Sequence, residues 1–240
     1  MSIFGGLLRR RRIDLSAQLT KRLERWALQL AAQDSTPIDK ARLVVVDVET
    51  SGLNPRKDRL LEIGAVALES LRLMPGSVFS AVVRHEQASS RENILIHGIG
   101  PTQQCAGIDL DEALTAFLEF ARRDVLVAFH AEFDQAVLER AARRNLGIRL
   151  PNPWIDLAGL APALYPEARL NPAPLDDWLA YFGLHARRRH RAGDDALATG
   201  ELLLIMLSRA RSRGITTIAE LRESAAAQAR ITSSGGAGGA

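Results

Sequence analysis

One cysteine, Cys105, is all that this chain of 240 residues carries. An internal disulfide is therefore impossible and a cysteine-built metal site is excluded, which suits a reducing cytoplasm. Long apolar runs are missing too. No stretch approaches the ~20 residues that span a bilayer, so no membrane segment is expected. Arg9 to Arg12 make the N-terminus basic, but no apolar stretch follows of the kind a secretory signal needs. No internal repeat is present. What remains is a composition of 47% hydrophobic and 25% charged residues, which fits one sizeable folded domain with some length to spare.

The net charge is +3 and the pI about 9.5, but the excess is local. Residues 1–42 hold nine basic and four acidic side chains, a net +5, which leaves −2 for everything after them. Bulk charge is thus a weak argument for a nucleic-acid partner.

Leu15, Leu19, Leu23, Trp26 and Leu30 follow a spacing of three and four, which predicts an amphipathic helix over 13–33. Its stripe must be buried on this domain, a second copy or another partner. Leu43 to Glu49 read as a buried strand. Residues 60–69 and 78–84 read as two more, with Pro75-Gly76 as the turn between them. Helices are expected at 110–121, 132–146, 175–182, 194–213 and 216–230, and a short strand at 125–129. Residues 151–174 are proline-rich, with room for a short helix. The Gly/Ala/Ser tail is expected to be disordered. Three strands followed by alternating helices and strands predict an α/β domain with a mixed sheet flanked by helices. The resulting division is a basic extension at 1–41, a main domain at 42–213, a helix at 214–230 and a tail at 231–240.

Acidic residues sit at the ends of these elements. Asp47 and Glu49 are two apart on one strand and face the same way. Side by side in a buried setting they repel each other and lose hydration, and a divalent cation would compensate. A solvated strand end or arginine partners would also serve. Asp134 falls in the first turn of a helix after an apolar strand, where an aspartate can simply complement the helix dipole. His190 lies in a basic loop before the long helix, where Asp194 suits the N-cap and Asp195 the first turn. Arg187 to Arg189 read as a solvated turn in preference to a phosphate clamp.

Taken together, the segments Asp47-Val48-Glu49-Thr50, Ala131-Glu132-Phe133-Asp134 and His190-Arg191-Ala192-Gly193-Asp194-Asp195 resemble the three motifs of the DEDD superfamily of 3′→5′ exonucleases, in its histidine-containing branch. Leu61-Glu62-Ile63-Gly64-Ala65-Val66 and His97-Gly98-Ile99 are family-like words between them. The resemblance covers about residues 42–210 and is strongest toward proofreading epsilon subunits of bacterial replicative polymerases and stand-alone enzymes like them. It departs in the second motif, where Phe129 and His130 stand in place of the family's His-Asn. After residue 213 no clamp-binding peptide is evident.

The resemblance implies an RNase H-like fold with a five-stranded mixed sheet and hydrolysis aided by two ions, Mg²⁺ or Mn²⁺. It makes Asp47, Glu49, Asp134 and Asp195 the metal ligands and His190 the general base, for which an imidazole titrating near ~6.5 is well matched. Thr50, Gly52 and Leu53 would contact the terminal nucleotide, with His97 and His130 as further substrate contacts. The expected partner is a single-stranded 3′ end, DNA in the first instance, shortened to 5′-mononucleotides in proofreading or repair. A polymerase or a second copy is the expected partner of the N-terminal helix only where its stripe is not buried on its own domain. An RNA-directed enzyme of the same fold and a non-catalytic nucleic-acid-binding subunit are the alternatives.

Overall fold

The computed structural model describes residues 13–87, 89–187 and 189–235. Its centre is a five-stranded sheet ordered β3-β2-β1-β4-β5. β1 (Arg42–Thr50) pairs antiparallel with β2 (Leu60–Glu69), and β2 likewise with β3 (Arg72–Val82). β4 (Val125–Ala128) lies parallel to β1, and β5 (Trp154–Asp156) parallel to β4. β1 is central and its alternate residues enter two cores. Val44, Val46 and Val48 face α1 (Ala17–Ala27), α4 (Leu110–Ala121) and α5 (Ala131–Ala141). Leu43 and Val45 face α6 (Leu157–Leu164), α7 (Leu175–Tyr181), α8 (Ala192–Ser212) and α9 (Ile218–Gly235). Burial on both faces is why β1 reads as an unbroken apolar run. Two short helices, α2 (Arg91–His97) and α3 (Pro101–Ala106), lie between β3 and α4.

The N-terminal stripe packs on its own chain. Leu23 and Trp26 are buried in the core with α4, and Trp26 Nε1 donates to the Arg122 carbonyl at 2.9 Å. Arg22 is paired with Glu119 and Glu112 of α4. The helix is shorter than the predicted 13–33. Ser16 caps its start, and Arg123 takes the carbonyls of Ala27 and Gln29 at its end. Leu30 therefore falls outside it and is 93% exposed. The basic run Arg9 to Arg12 lies outside the described residues. Trp26 is 1% exposed, so Trp26→Ala is expected to cost about 3–5 kcal/mol. A denaturant midpoint unchanged from wild type would show that this helix is not part of the cooperative core.

The β2–β3 turn is not at Pro75-Gly76. It is Ser70-Leu71, both at positive φ, between paired Glu69 and Arg72. Two-residue hairpin turns ask for positive φ at both positions, usually from Asn or Gly, so Ser-Leu gave no signal. Pro75-Gly76 instead lies inside β3, where the register shifts opposite Val66 and Leu68. The region after 150 contributes β5 as well as a helix. The helix predicted over 132–146 is α5 followed by a π-helical turn at Ala142–Leu146. α8 starts two residues before the predicted 194, and α9 runs on through 231–235, because no helix breaker precedes Gly235. Residues 236–240 lie outside the described residues. Extension and C-terminal helix meet: Ile38 N–H donates to Thr216 O, Ile218 N–H to Thr36 O, and Arg222 pairs with Asp34 at 2.6 Å.

Candidate active site

The acids gather where β1 and its parallel neighbour β4 both end, the usual place for a ligand on an open α/β sheet. Asp47 and Glu49 emerge on the α8 face of β1, set by strand alternation with Leu43 and Val45. α8 can approach because of Gly64. A Cβ there would lie 2.0–2.2 Å from backbone atoms of Ala192 and Gly193. The start of α8 thus rests on β2, and Asp195 reaches Glu49. Ligand atoms of Glu49, His190 and Asp195 lie within 4.8 Å of one another. Asp134 enters from the other face. Its Oδ1 accepts the Val48 N–H at 3.0 Å, which ties α5 to β1 between the two strand acids.

Both oxygens of Asp195 are engaged. Oδ2 accepts the His190 N–H at 2.8 Å, and Oδ1 is paired with Arg189. Arg189 also holds Asp176 at 2.6 Å. Arg189 is thus turned inward onto an acid, not left as a solvated turn, because Asp195 is a buried carboxylate within its reach. Arg187 is exposed, and Arg188 lies outside the described residues. The helix N-cap is Arg191, not Asp194, which falls in the first turn with Asp195.

The carboxylates resist ionisation together. Burial, then Asp195, pushes Asp47 up to about 7, with Arg189 opposing. Burial, then Asp47 and Asp195, pushes Glu49 up to about 9. Asp134 is raised well above the usual range by burial and then by Asp47. Asp195 is raised by burial, against the pull of Arg189. One guanidinium does not balance this cluster. Hard oxygen donors with unbalanced charge fit a divalent ion such as Mg²⁺ or Mn²⁺.

A stability prediction follows. Unfolded carboxyls ionise near ~4. Folded, Asp47 and Glu49 keep protons up to about 7 and about 9. Between those values the folded state binds more protons than the unfolded one, so stability falls as pH rises. Chelator-treated protein should melt lower at pH 8.5 than at pH 5.5. Added Mg²⁺ should raise Tm more at the higher pH. A metal-free Tm that climbs across this window would contradict the cluster.

The strand end continues into a stiff loop. Thr50 Oγ donates to Gly52 O at 2.6 Å, and Ser51 N–H donates to Arg59 O at 2.9 Å. A Cβ on Gly52 would lie 2.6 Å from Asp58 Oδ2, so a side chain there would have to displace the Asp58 carboxylate. Leu53 stands at the tip, 93% exposed. His130 is at φ 64°, its N–H donating to Asp156 Oδ1 at 2.9 Å. It lines a cavity of about 370 Å³ with Pro55, Glu132, Phe133 and Asp156. Phe129 packs on the core, with its ring 4.9 Å from that of His130. His97 stands near the cluster: burial, then the charges of Arg191 and His190, lower its pKa. It is 2% exposed, with Nδ1 accepting the Ile99 N–H and Nε2 against Ser89 Oγ. With both ring nitrogens committed, the side chain organises this corner of the fold.

Sequence reasoning gave no role to Asp156 or Glu62. Asp156 Oδ1 caps α6 through Ala158 and also receives the His130 and Ala131 N–H groups, so it anchors the start of α5. An aspartate before an apolar helix was the available signal. Glu62 is a lone acid in an otherwise apolar strand interior.

A mixed sheet of this order, with helices on both faces, is the RNase H-like fold. A sequence model of the exonuclease family matches residues 44–203, and the chain belongs to that family. The family generally uses divalent metal ions. Among its relatives, the PolC-type DNA polymerase III of Thermotoga maritima is 30% identical over 190 residues, 79% of this chain and 14% of that protein. A DNA polymerase III subunit epsilon-like protein of Rhodobacter capsulatus is 30% identical over 188 residues, covering 78% and 27% respectively. The chain thus spans under a third of either relative. In fold it is similar to E. coli exonuclease I bound to single-stranded DNA, with TM-score 0.63, 19% identity, and 72% and 42% of the two chains covered. It is also similar to exonuclease X bound to 5′-overhanging duplex DNA, with TM-score 0.58, 21% identity, and 76% and 99% covered. No helix among the described residues is long and apolar enough to cross a membrane.

Proposed function

We propose that the chain is a metal-dependent 3′→5′ exonuclease that removes 5′-mononucleotides from single-stranded DNA ends. The observation that carries this reading is the meeting of Glu49, His190 and Asp195 within 4.8 Å, beside Asp47 and Asp134. Asp47, Glu49, Asp134 and Asp195 would hold two ions, Mg²⁺ or Mn²⁺. When bound, such ions supply Lewis-acid stabilisation of charge on the attacking and leaving oxygens. His190 is exposed, so its imidazole can accept the proton of the attacking water at a ring nitrogen. Thr50 and Gly52 shape the loop against which the terminal nucleotide lies. Leu53, projecting from it, stacks on the last base. Stacking and backbone contacts carry no base code, so cleavage is independent of sequence.

DNA is favoured over RNA because the similar proteins are named as DNA polymerases or were solved with DNA. The same names support a role in proofreading or repair beside a polymerase, and a cytoplasmic setting. The apolar stripe of α1 is already occupied by α4. A polymerase would therefore dock elsewhere, and a second copy would not be recruited through that stripe.

Single-stranded DNA labelled at its 5′ end should shorten stepwise from the 3′ end with Mg²⁺, and stop shortening with excess chelator. Its RNA twin should be cut more slowly. Internal fragments as first products, or activity that survives the chelator, would defeat the reading. Faster cleavage of the RNA would redirect it to an exoribonuclease.

A further inference from the structure

The site contains a buried acid that the proposed reaction does not use. Glu62 is 1% exposed and lies directly across the β1–β2 ladder from Glu49. Cross-strand neighbours share a face, so a fifth carboxylate sits beside the four. Oε1 accepts the Ser80 hydroxyl at 2.8 Å. Oε2 has no hydrogen-bond partner among the described residues, and Arg191 Nε stands 3.5 Å from it. A half-satisfied buried carboxylate among other acids is costly. What it provides is a fixed point on the sheet for Arg191.

Arg191 follows His190 directly and occupies the α8 N-cap. His190 has φ 63°, a left-handed conformation disfavoured for any non-glycine residue, so its surroundings must hold it there. Two ties come from the helical side. The His190 N–H ends on Asp195, and Arg189 ends on Asp195 and Asp176. Both ties involve Asp195, whose oxygens a metal would also claim. The Arg191–Glu62 pair ends on β2 instead, on the residue facing Glu49. It fixes the turn relative to the strand acids and does not compete for the metal ligands.

We infer that Glu62, acting through Arg191, is a positioning residue that holds the His190 turn in place against Glu49. The inference rests on the reading of His190 as general base. Glu62→Gln keeps the shape of the side chain and removes its charge. Arg191→Gln breaks the tie from the other end, and Arg191→Lys keeps the charge. Glu62→Gln and Arg191→Gln should each lower kcat on single-stranded DNA by about 10–100-fold, the usual effect of losing an outer partner of a metal site. KM should stay within about twofold, since the loss falls on the transition state. The double variant should fall no further than either single one, and Arg191→Lys should keep most of kcat.

Amide hydrogen exchange on metal-free protein gives a second reading. Exchange at His190 should quicken in both glutamine variants, while that of the central β1 amides stays unchanged. An unaltered His190 exchange rate, or single losses that multiply in the double variant, would overturn the inference. His190→Ala separates the two readings. If it leaves kcat intact, the general-base reading fails and the exchange data still judge the tie. If it removes kcat while Glu62→Gln does not, the tie fails and the base stands.

Discussion

Asp47→Ala and Asp195→Ala should each lower single-turnover cleavage by at least about 10³-fold at saturating Mg²⁺. A metal ligand supports several kcal/mol of transition-state charge stabilisation, and each ~1.4 kcal/mol is tenfold in rate. The two differ in metal-free stability. Burial and then Asp195 push the Asp47 carboxyl up to about 7, so its removal relieves that cost and should leave Tm equal or higher. Asp195 accepts from His190 and pairs with Arg189, so its removal strips two partners and should lower Tm. Asp194, next in sequence, is the control. It sits in the first turn of α8 and offers only a dipole contribution, so Asp194→Ala should cost about 0.3–1 kcal/mol and leave turnover nearly intact. If Asp194→Ala stops the reaction and Asp195→Ala does not, the assignment of the third motif is wrong. The measurement is quenched-flow cleavage beside thermal melts of the same three variants.

His190→Ala should lower the rate by about 10²–10⁴-fold, the usual worth of a positioned acid–base group. A general base must be neutral to act, so at saturating Mn²⁺ the wild-type rate should rise with pH and level off, while the variant loses that limb. Metal affinity should change little, since carboxylates dominate the ligand set. His97 predicts a different failure. Its ring is enclosed between Ser89 and Ile99, so His97→Ala should destabilise the fold and leave the pH limb in place. A profile unchanged in His190→Ala would remove this residue from the base role.

Much of this was legible in the sequence where one physical rule acted locally. The run Leu43 to Val48 announced a strand buried on both faces, and the two acids closing it announced a charge problem. Asp134 and Asp195 were placed in first helical turns, where the structure puts them. What escaped depended on distant partners. The inward turn of Arg189 needs Asp176 and Asp195 in space, and Asp156 meets His130 across 26 positions. The Ser70-Leu71 turn is set by its strands and not by its own residues. The enclosure of His97 likewise depends on Ser89, which Gln104 holds beside its ring. Leu30 belongs to the predicted stripe by spacing alone. The helix ends before it, where Arg123 claims the carbonyls of Ala27 and Gln29.

The central claim is that four carboxylates from three segments form one divalent-metal site. A calorimetric titration of Mn²⁺ into chelator-stripped protein saturated with 5′-dTMP, run for wild type and Asp47→Ala, tests it most directly. The account predicts saturable binding of two ions per chain in the wild type and the loss of at least one in the variant. Wild-type protein that binds no Mn²⁺, or binding that Asp47→Ala leaves unchanged, would contradict it.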